Sequence, residues 1–262
     1  MDIDLTGRHA LVCGASQGIG RACATELAKL GADVTVLARR EDVLRKLIDE
    51  LPRTHAAQRH GFIAADSGDT GGLRAQVEAL AAAGPVHILI NNSGGPPPGP
   101  VLGAQPDDFL DAYRKHLLAN HVLAEVLIPG MRQDGYGRIV NIISTSVKEP
   151  IAGLGVSNTT RWAVASWAKT LAAELAPFGI TVNNVLPGST NTPRIGQIVA
   201  TRAQKTGKPQ AEIQRAMVAE IPLGRFAEPA DIAAAVAFLA SPAAAYITGI
   251  NLPVDGGRTR SL

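Results

Sequence analysis

The run Gly14-Ala15-Ser16-Gln17-Gly18-Ile19-Gly20 is where chemistry first becomes legible in this 262-residue chain. An apolar run at 9–13 feeds directly into it. Glycine reaches positive φ without steric cost and lets another group come close to the backbone. A helix is expected to open just beyond the turn. Its unpaired N–H groups and positive dipole end suit a pyrophosphate. A glycine turn at the first strand-to-helix junction of a βαβ unit is a much stronger signal than a lone glycine motif. Gly14, Ser16, Gly18, Ile19 and Gly20 are therefore expected to bind a dinucleotide. The next strand candidate ends Leu37-Ala38-Arg39-Arg40. A site that prefers NAD usually has a carboxylate there for the ribose 2′-hydroxyl. Here Ala38 leaves room, and the Arg39 guanidinium suits a 2′-phosphate, so NADP(H) is the expected cofactor. A solvated pair at a helix start is the alternative for Arg39 and Arg40. Asp33 precedes the strand and is not the ribose carboxylate.

These residues need a scaffold, and the pattern of the chain supplies one. Strand candidates lie at 9–13, 34–38, 61–64, 86–90, 138–143, 181–186 and 249–253. Helix candidates lie at 19–30, 42–51, 70–83, 106–131, 156–176, 211–220 and 229–240. The strands are nearly continuous in apolar residues, as in strands covered on both faces. The alternation predicts right-handed βαβ crossovers in an α/β fold, a Rossmann-type doubly wound parallel sheet of about seven strands. Residues 1–262 read as one dinucleotide-binding domain. The irregular stretch at 188–224 carries Ile213, Met217 and Ile221 at helical spacing and is expected to be a substrate lid. A plain surface excursion is the alternative.

Composition narrows the partners. With 46% hydrophobic residues the chain can bury a sizeable core, and a net charge of +2 gives no polybasic field for nucleic acid. No apolar stretch is long enough to cross a membrane, and the acidic N-terminus is not a secretory signal. Cys13 and Cys23 are expected as buried free thiols, which fits a reducing cytoplasm. No metal is expected.

Further motifs carry a resemblance. They are Asp66 after the third strand candidate, Asn91-Asn92-Ser93-Gly94 after the fourth, and the strand 139–143 leading to Ser144. They continue with Pro187-Gly188 followed by Thr192, and with Tyr246-Ile247-Thr248-Gly249 running to Val254-Asp255-Gly256-Gly257. Together with the glycine turn, they make the chain resemble the short-chain dehydrogenase/reductases, most of all the 3-oxoacyl-acyl-carrier-protein reductase branch. The resemblance implies that Asp66 touches the adenine and that Asn92 belongs to an element stabilising the sheet beside the cofactor. It implies that Thr192 holds the nicotinamide amide. The family's catalytic set is Asn, Ser, Tyr and Lys. Carried over by position, the serine is Ser144, the tyrosine position holds Ser157, the lysine position holds Arg161 and the asparagine position holds His116. The family also implies a homotetramer built through its long helices and C-terminal strands.

The substitutions change what the site can do. A serine hydroxyl is far less acidic than the family's tyrosine, yet it still donates a hydrogen bond to a carbonyl. Arg161 stays protonated, so it cannot relay a proton but can stabilise a developing alkoxide. His116 has an ordinary pKa near neutrality and could supply the proton through water. A packed or interfacial histidine is the alternative. Tyr113 and the Lys148-Glu149 pair are weaker candidates, better read as core packing and surface charge. The expected function is NADP(H)-dependent interconversion of a small-molecule ketone and a secondary alcohol. A catalytically silent NADP(H)-binding protein or subunit is the alternative.

Overall fold

The computed structural model describes residues 1–261. Its strands are β1 (His9–Cys13), β2 (Asp33–Ala38), β3 (His60–Ala64), β4 (Ile88–Asn91), β5 (Gly137–Ile142), β6 (Ile180–Pro187) and β7 (Asn251–Val254). Among the described residues they form one seven-stranded sheet in the order β3-β2-β1-β4-β5-β6-β7, parallel throughout. The doubly wound architecture expected from the apolar runs is thus present. All six residues of β5 are buried, Arg138 and Asn141 among them, as expected of an interior strand covered on both faces.

Two helical layers cover the sheet. α1 (Gly18–Lys29), α2 (Glu41–Glu50) and α9 (Pro229–Ala240) pack on one face, where Val12, Val34 and Ile88 meet Leu27, Leu44 and Val236. α3 (Thr70–Ala83), α5 (Ala119–Gln133) and α6 (Gly155–Leu175) pack on the other, where Leu11, Leu89 and Ile139 meet Val77, Leu127 and Ala168. Cys13 and Cys23 are buried free thiols, one in each cluster. Burial pushes the Cys13 thiol up to about 12 and raises that of Cys23 as well. No helix among the described residues is long and apolar enough to cross a membrane.

A row of amides crosses half the sheet. Asn91 donates to Asn141 at 2.8 Å, Asn141 to Asn184 at 2.9 Å, and Asn184 to Asn251 at 2.8 Å. The four residues are direct register partners on β4, β5, β6 and β7. A slip of any of these strands by one residue would bury unpaired amides, so the row fixes the register.

Two features differ from the pattern read in the sequence. The helix expected at 106–131 is broken into α4 (Pro106–Tyr113), a π-helical turn at Arg114–Leu118, and α5. Such π turns insert a residue and re-aim side chains, often at functional sites. The stretch at 188–224 is largely regular, because α7 (Pro193–Thr206) precedes the expected helix, seen here as α8 (Gln210–Ala219). Ile195 and Val199 of α7 pack on Ile213 and Met217 of α8 in a small cluster apart from the main core.

Candidate active site

Strand order reverses between β1 and β4, and crevices at the carboxyl ends of such strands are where ligands bind in this architecture. A cavity of about 1150 Å³ opens there. At one end it is lined by Gly14, Ser16, Gly18 and Ile19 of the β1–α1 turn. Gly14 and Gly18 have φ of 60° and 57°, the left-handed region that favours glycine. A Cβ on Gly14 would lie 2.6 Å from Asn92 Nδ2, and one on Gly20 would lie 2.3 Å from the Gly14 carbonyl oxygen. Gly20 therefore packs behind the turn and, alone among the expected positions, does not line the cavity. Asn92 Nδ2 donates to the carbonyls of Cys13 and Gly14, both at 3.3 Å, so this side chain holds the turn in shape. The residue before α1, Gln17, makes no side-chain cap bond, so the first N–H groups of the helix are left for a ligand.

The rim at the β2 end carries Ala38, Arg39 and Arg40. Arg39 is exposed and makes no ion pair among the described residues. Asp33 is at the other end of β2, where its carboxylate accepts from the Arg59 N–H at 2.7 Å. Asp66 lines the cavity and accepts from the Gly68 N–H at 2.8 Å. Thr192 precedes α7 and donates to the Thr190 carbonyl at 3.3 Å. Its methyl group would be 3.2 Å from a Cβ on Gly18, so it reaches across from the α7 side to the glycine turn. The close-packed turn, the uncapped helix and a rim free of carboxylate beside Arg39 fit a dinucleotide with an extra phosphate.

At the other end, Ser144, Ser157, Arg161 and His116 line the same cavity. Ser144 follows β5, and its hydroxyl oxygen accepts from the Ser146 N–H at 3.1 Å. That leaves its own O–H free to donate. Ser157 is in the first turn of α6, one helical turn before Arg161. The Arg161 guanidinium is buried, and its Nη1 donates to the Ile142 carbonyl at 3.1 Å, beside the end of β5. Burial, then the nearby Arg194, lower its pKa to about 10, so it stays cationic at neutral pH.

His116 sits in the π-helical turn and is only 2% exposed. Its Nδ1 pairs with Ser93 Oγ at 2.6 Å. Burial, then Arg161 and Lys115, push its pKa down to about 2. Desolvation beside cations disfavours the charged imidazole, which favours the packed-histidine alternative over a group that ionises near neutrality. Tyr113 is half-buried and outside the cavity lining. Glu149 instead holds the chain's end, accepting from the N–H groups of Arg260 and Ser261 at 2.7 and 2.8 Å.

The glycine- and proline-rich loop at 94–100, after β4, forms a wall, since residues 94–98 line the cavity. Its end is pinned to the start of α6 by Gly99 N–H to the Gly153 carbonyl at 2.7 Å and Gly155 N–H to the Gly99 carbonyl at 3.0 Å. Arg194 of α7 ties the wall to the 188–224 segment, donating to the Pro96 carbonyl at 2.7 Å. Sequence reasoning missed α7, Arg194 and the Ser93–His116 pair. The helix had a signal: Thr192 before Pro193, then Ile195, Ile198 and Val199 at helical spacing.

Known proteins similar to this chain along its whole length are numerous. The family model described as enoyl-(acyl carrier protein) reductase matches residues 14–259. A 3-oxoacyl-acyl-carrier-protein reductase of Rickettsia bellii is 35% identical, covering 97% of this chain and 98% of its own. An L-xylulose reductase of Mesocricetus auratus is 33% identical, covering 98% of each. Among solved structures, L-sorbose reductase from Gluconobacter frateurii, complexed with NADPH and L-sorbose, superposes with a TM-score of 0.93 at 31% identity over 100% of both chains. An actinorhodin polyketide ketoreductase with NADPH gives a TM-score of 0.89 at 32% identity over 97% of each. With the glycine turn, the switch-point cavity and these full-length likenesses together, the chain belongs to the short-chain dehydrogenase/reductase family.

Proposed function

We propose that this chain is an NADP(H)-dependent oxidoreductase that interconverts a ketone and a secondary alcohol, akin to the 3-oxoacyl reductases, through a site without the family's tyrosine and lysine. The observation that carries this reading is one cavity lined both by the glycine turn and by Ser144, Ser157 and Arg161. NADPH, when bound, supplies the hydride. Alignment is the larger part of what the protein must contribute to such a transfer. The free O–H of Ser144 and the hydroxyl of Ser157 donate to the substrate carbonyl. The Arg161 guanidinium, beside the end of β5, adds positive charge to the pocket in which negative charge develops on that oxygen. His116, neutral and bound to Ser93, positions the wall of the pocket rather than delivering a proton. The proton comes from water entering the cavity. Losing a dedicated general acid typically costs about 10²–10⁴-fold in rate, so slow turnover is expected.

Support for NADP(H) over NAD(H) comes from Arg39 and the missing rim carboxylate, and from the NADPH that relatives hold. The test is NADPH oxidation against 3-oxoacyl thioesters, sugars and small ketones, with calorimetry for the cofactor. Replacing Ser157→Tyr and Arg161→Lys together should speed reduction of a generic ketone. NADPH bound normally with no turnover by either protein would favour a silent binding protein.

We also read residues 1–262 as one domain in which α7 and α8 serve as the lid over the substrate. The chain is expected to assemble as a homotetramer. Leu110, Leu118, Trp162 and Phe178 are exposed along the long helices and their ends, and β7 is an edge strand of the sheet. Light scattering showing a stable monomer at micromolar concentration would count against this.

A further inference from the structure

Arg161 and Arg194 approach one another without a carboxylate between them. Arg161 is 8% exposed, and among the described residues its one hydrogen-bond partner is the Ile142 carbonyl. Arg194, near the start of α7, has the Pro96 carbonyl. Neither makes an ion pair among the described residues. Their Nη2 atoms come within 4.0 and 3.6 Å of the same point, the position a Cβ would take on Gly95. Like charges brought to one part of a cavity repel, and the remaining N–H groups of the Arg161 guanidinium open onto that cavity. Both groups respond in the same direction: burial, and for Arg161 also Arg194 itself, lower their pKa values. An oxyanion lodged between them would remove the repulsion and take up the idle N–H groups, and the forked guanidinium matches that geometry.

We propose that Arg161 and Arg194 form a clamp for an acidic group on the substrate, so that the carbonyl compound taken by this site is a short oxo acid. The word substrate rests on the reduction reading above; the clamp as an anion site does not. Cofactor phosphates have other receivers in this fold. The uncapped start of α1 and Arg39 lie at the other end of the cavity and are the proposed receivers of the pyrophosphate and the 2′-phosphate. The clamp lies instead beside the carbonyl-binding hydroxyls. Arg161 is one helical turn from Ser157, and the carbonyl it holds, Ile142, is two residues before Ser144. Side chains four apart on a helix are about 5–6 Å apart at Cβ, a spacing suited to a carboxylate a few bonds from a ketone. Arg202 and Lys205, farther along α7, line the same cavity and add to a field that draws acids inward.

The experiment is calorimetric titration of NADP⁺-loaded protein with 4-oxopentanoate and with its neutral amide. The acid should bind about tenfold tighter or more, the worth of a charge-assisted contact. Arg194→Gln should abolish the difference while NADP⁺ affinity holds, and Arg194→Lys should restore part of it. Equal binding of acid and amide to the wild-type protein overturns the clamp. So does an Arg194→Gln variant that loses NADP⁺ affinity yet keeps the acid preference, since the arginines would then serve a cofactor phosphate. Acid preference without NADPH oxidation on any carbonyl would sink the reductase reading and leave the clamp standing. Turnover of neutral ketones with no acid preference would do the reverse.

Discussion

The two ends of the cavity are built by different means. The cofactor end is made of backbone. Gly14, Gly18 and Gly20 contribute shape, helix α1 contributes its open N–H groups, and Asn92 holds the turn from beside it. The opposite end, proposed above as the site of reaction, is made of side chains brought from four separate elements. Ser144 comes from the end of β5, Ser157 and Arg161 from α6, His116 from the π-helical turn and Arg194 from α7. A backbone cradle tolerates little change, because a Cβ at Gly20 already meets the Gly14 carbonyl at 2.3 Å. A side-chain site can be rewritten one residue at a time while its cradle stays intact. On the proposed function, the first end would set the cofactor class and the second the reaction and the substrate.

The sharpest way to break this contrast is Ser144→Ala. Removing one donor to a developing oxyanion typically costs about 10²–10³-fold in kcat, with cofactor affinity unchanged. Steady-state kinetics beside calorimetry checks it, and a parallel loss of NADPH binding would mean that the two ends are not separable. Next comes Asn141→Ala, which cuts the amide row joining the central strands under both ends. It leaves Asn91 Nδ2 and Asn184 Oδ1 without partners, for a loss of about 2–4 kcal/mol in urea unfolding. Arg39→Ala acts on the cofactor end alone. It should lower NADP(H) affinity by about tenfold to a hundredfold and leave NAD(H) affinity as it was. An unchanged preference would remove Arg39 from the site.

The smallest effect is in pH. His9 and His87, bonded at the amino ends of the strands, have pKa values lowered chiefly by burial, as does His116. Each binds its proton more readily when unfolded. The stability they contribute is present above the unfolded value of about 6.5 and is lost progressively as pH falls below it. Melting temperature should therefore drop on going from about pH 7.5 to 5. Over the same range kcat should show no ionisation belonging to His116, and His116→Gln should leave the shape of the profile unaltered. A bell edge near neutrality that this variant abolishes would restore His116 as the acid.

Sequence alone carried the cofactor end because its information is local. Residues 9–20 hold a strand, a turn and a helix start in one contiguous stretch, and glycine spacing there reflects a backbone conformation that few other residues adopt. Apolar runs likewise carried the strand order's ingredients, since burial on both faces removes the regular polar alternation of a half-exposed strand. It also brought Ser144, Ser157, Arg161 and His116 to notice, but not what each has become. That was decided by tertiary structure. The ionisation of His116 follows from desolvation and from Arg161, which lies 45 positions away in the chain. The pairing of Ser93 with His116, and the approach of Arg194 and Arg161 to Gly95, join residues whose spacing carries no periodic signal. Conformational preference is written into neighbours along the chain, whereas charge, dryness and proximity are properties of neighbours in space.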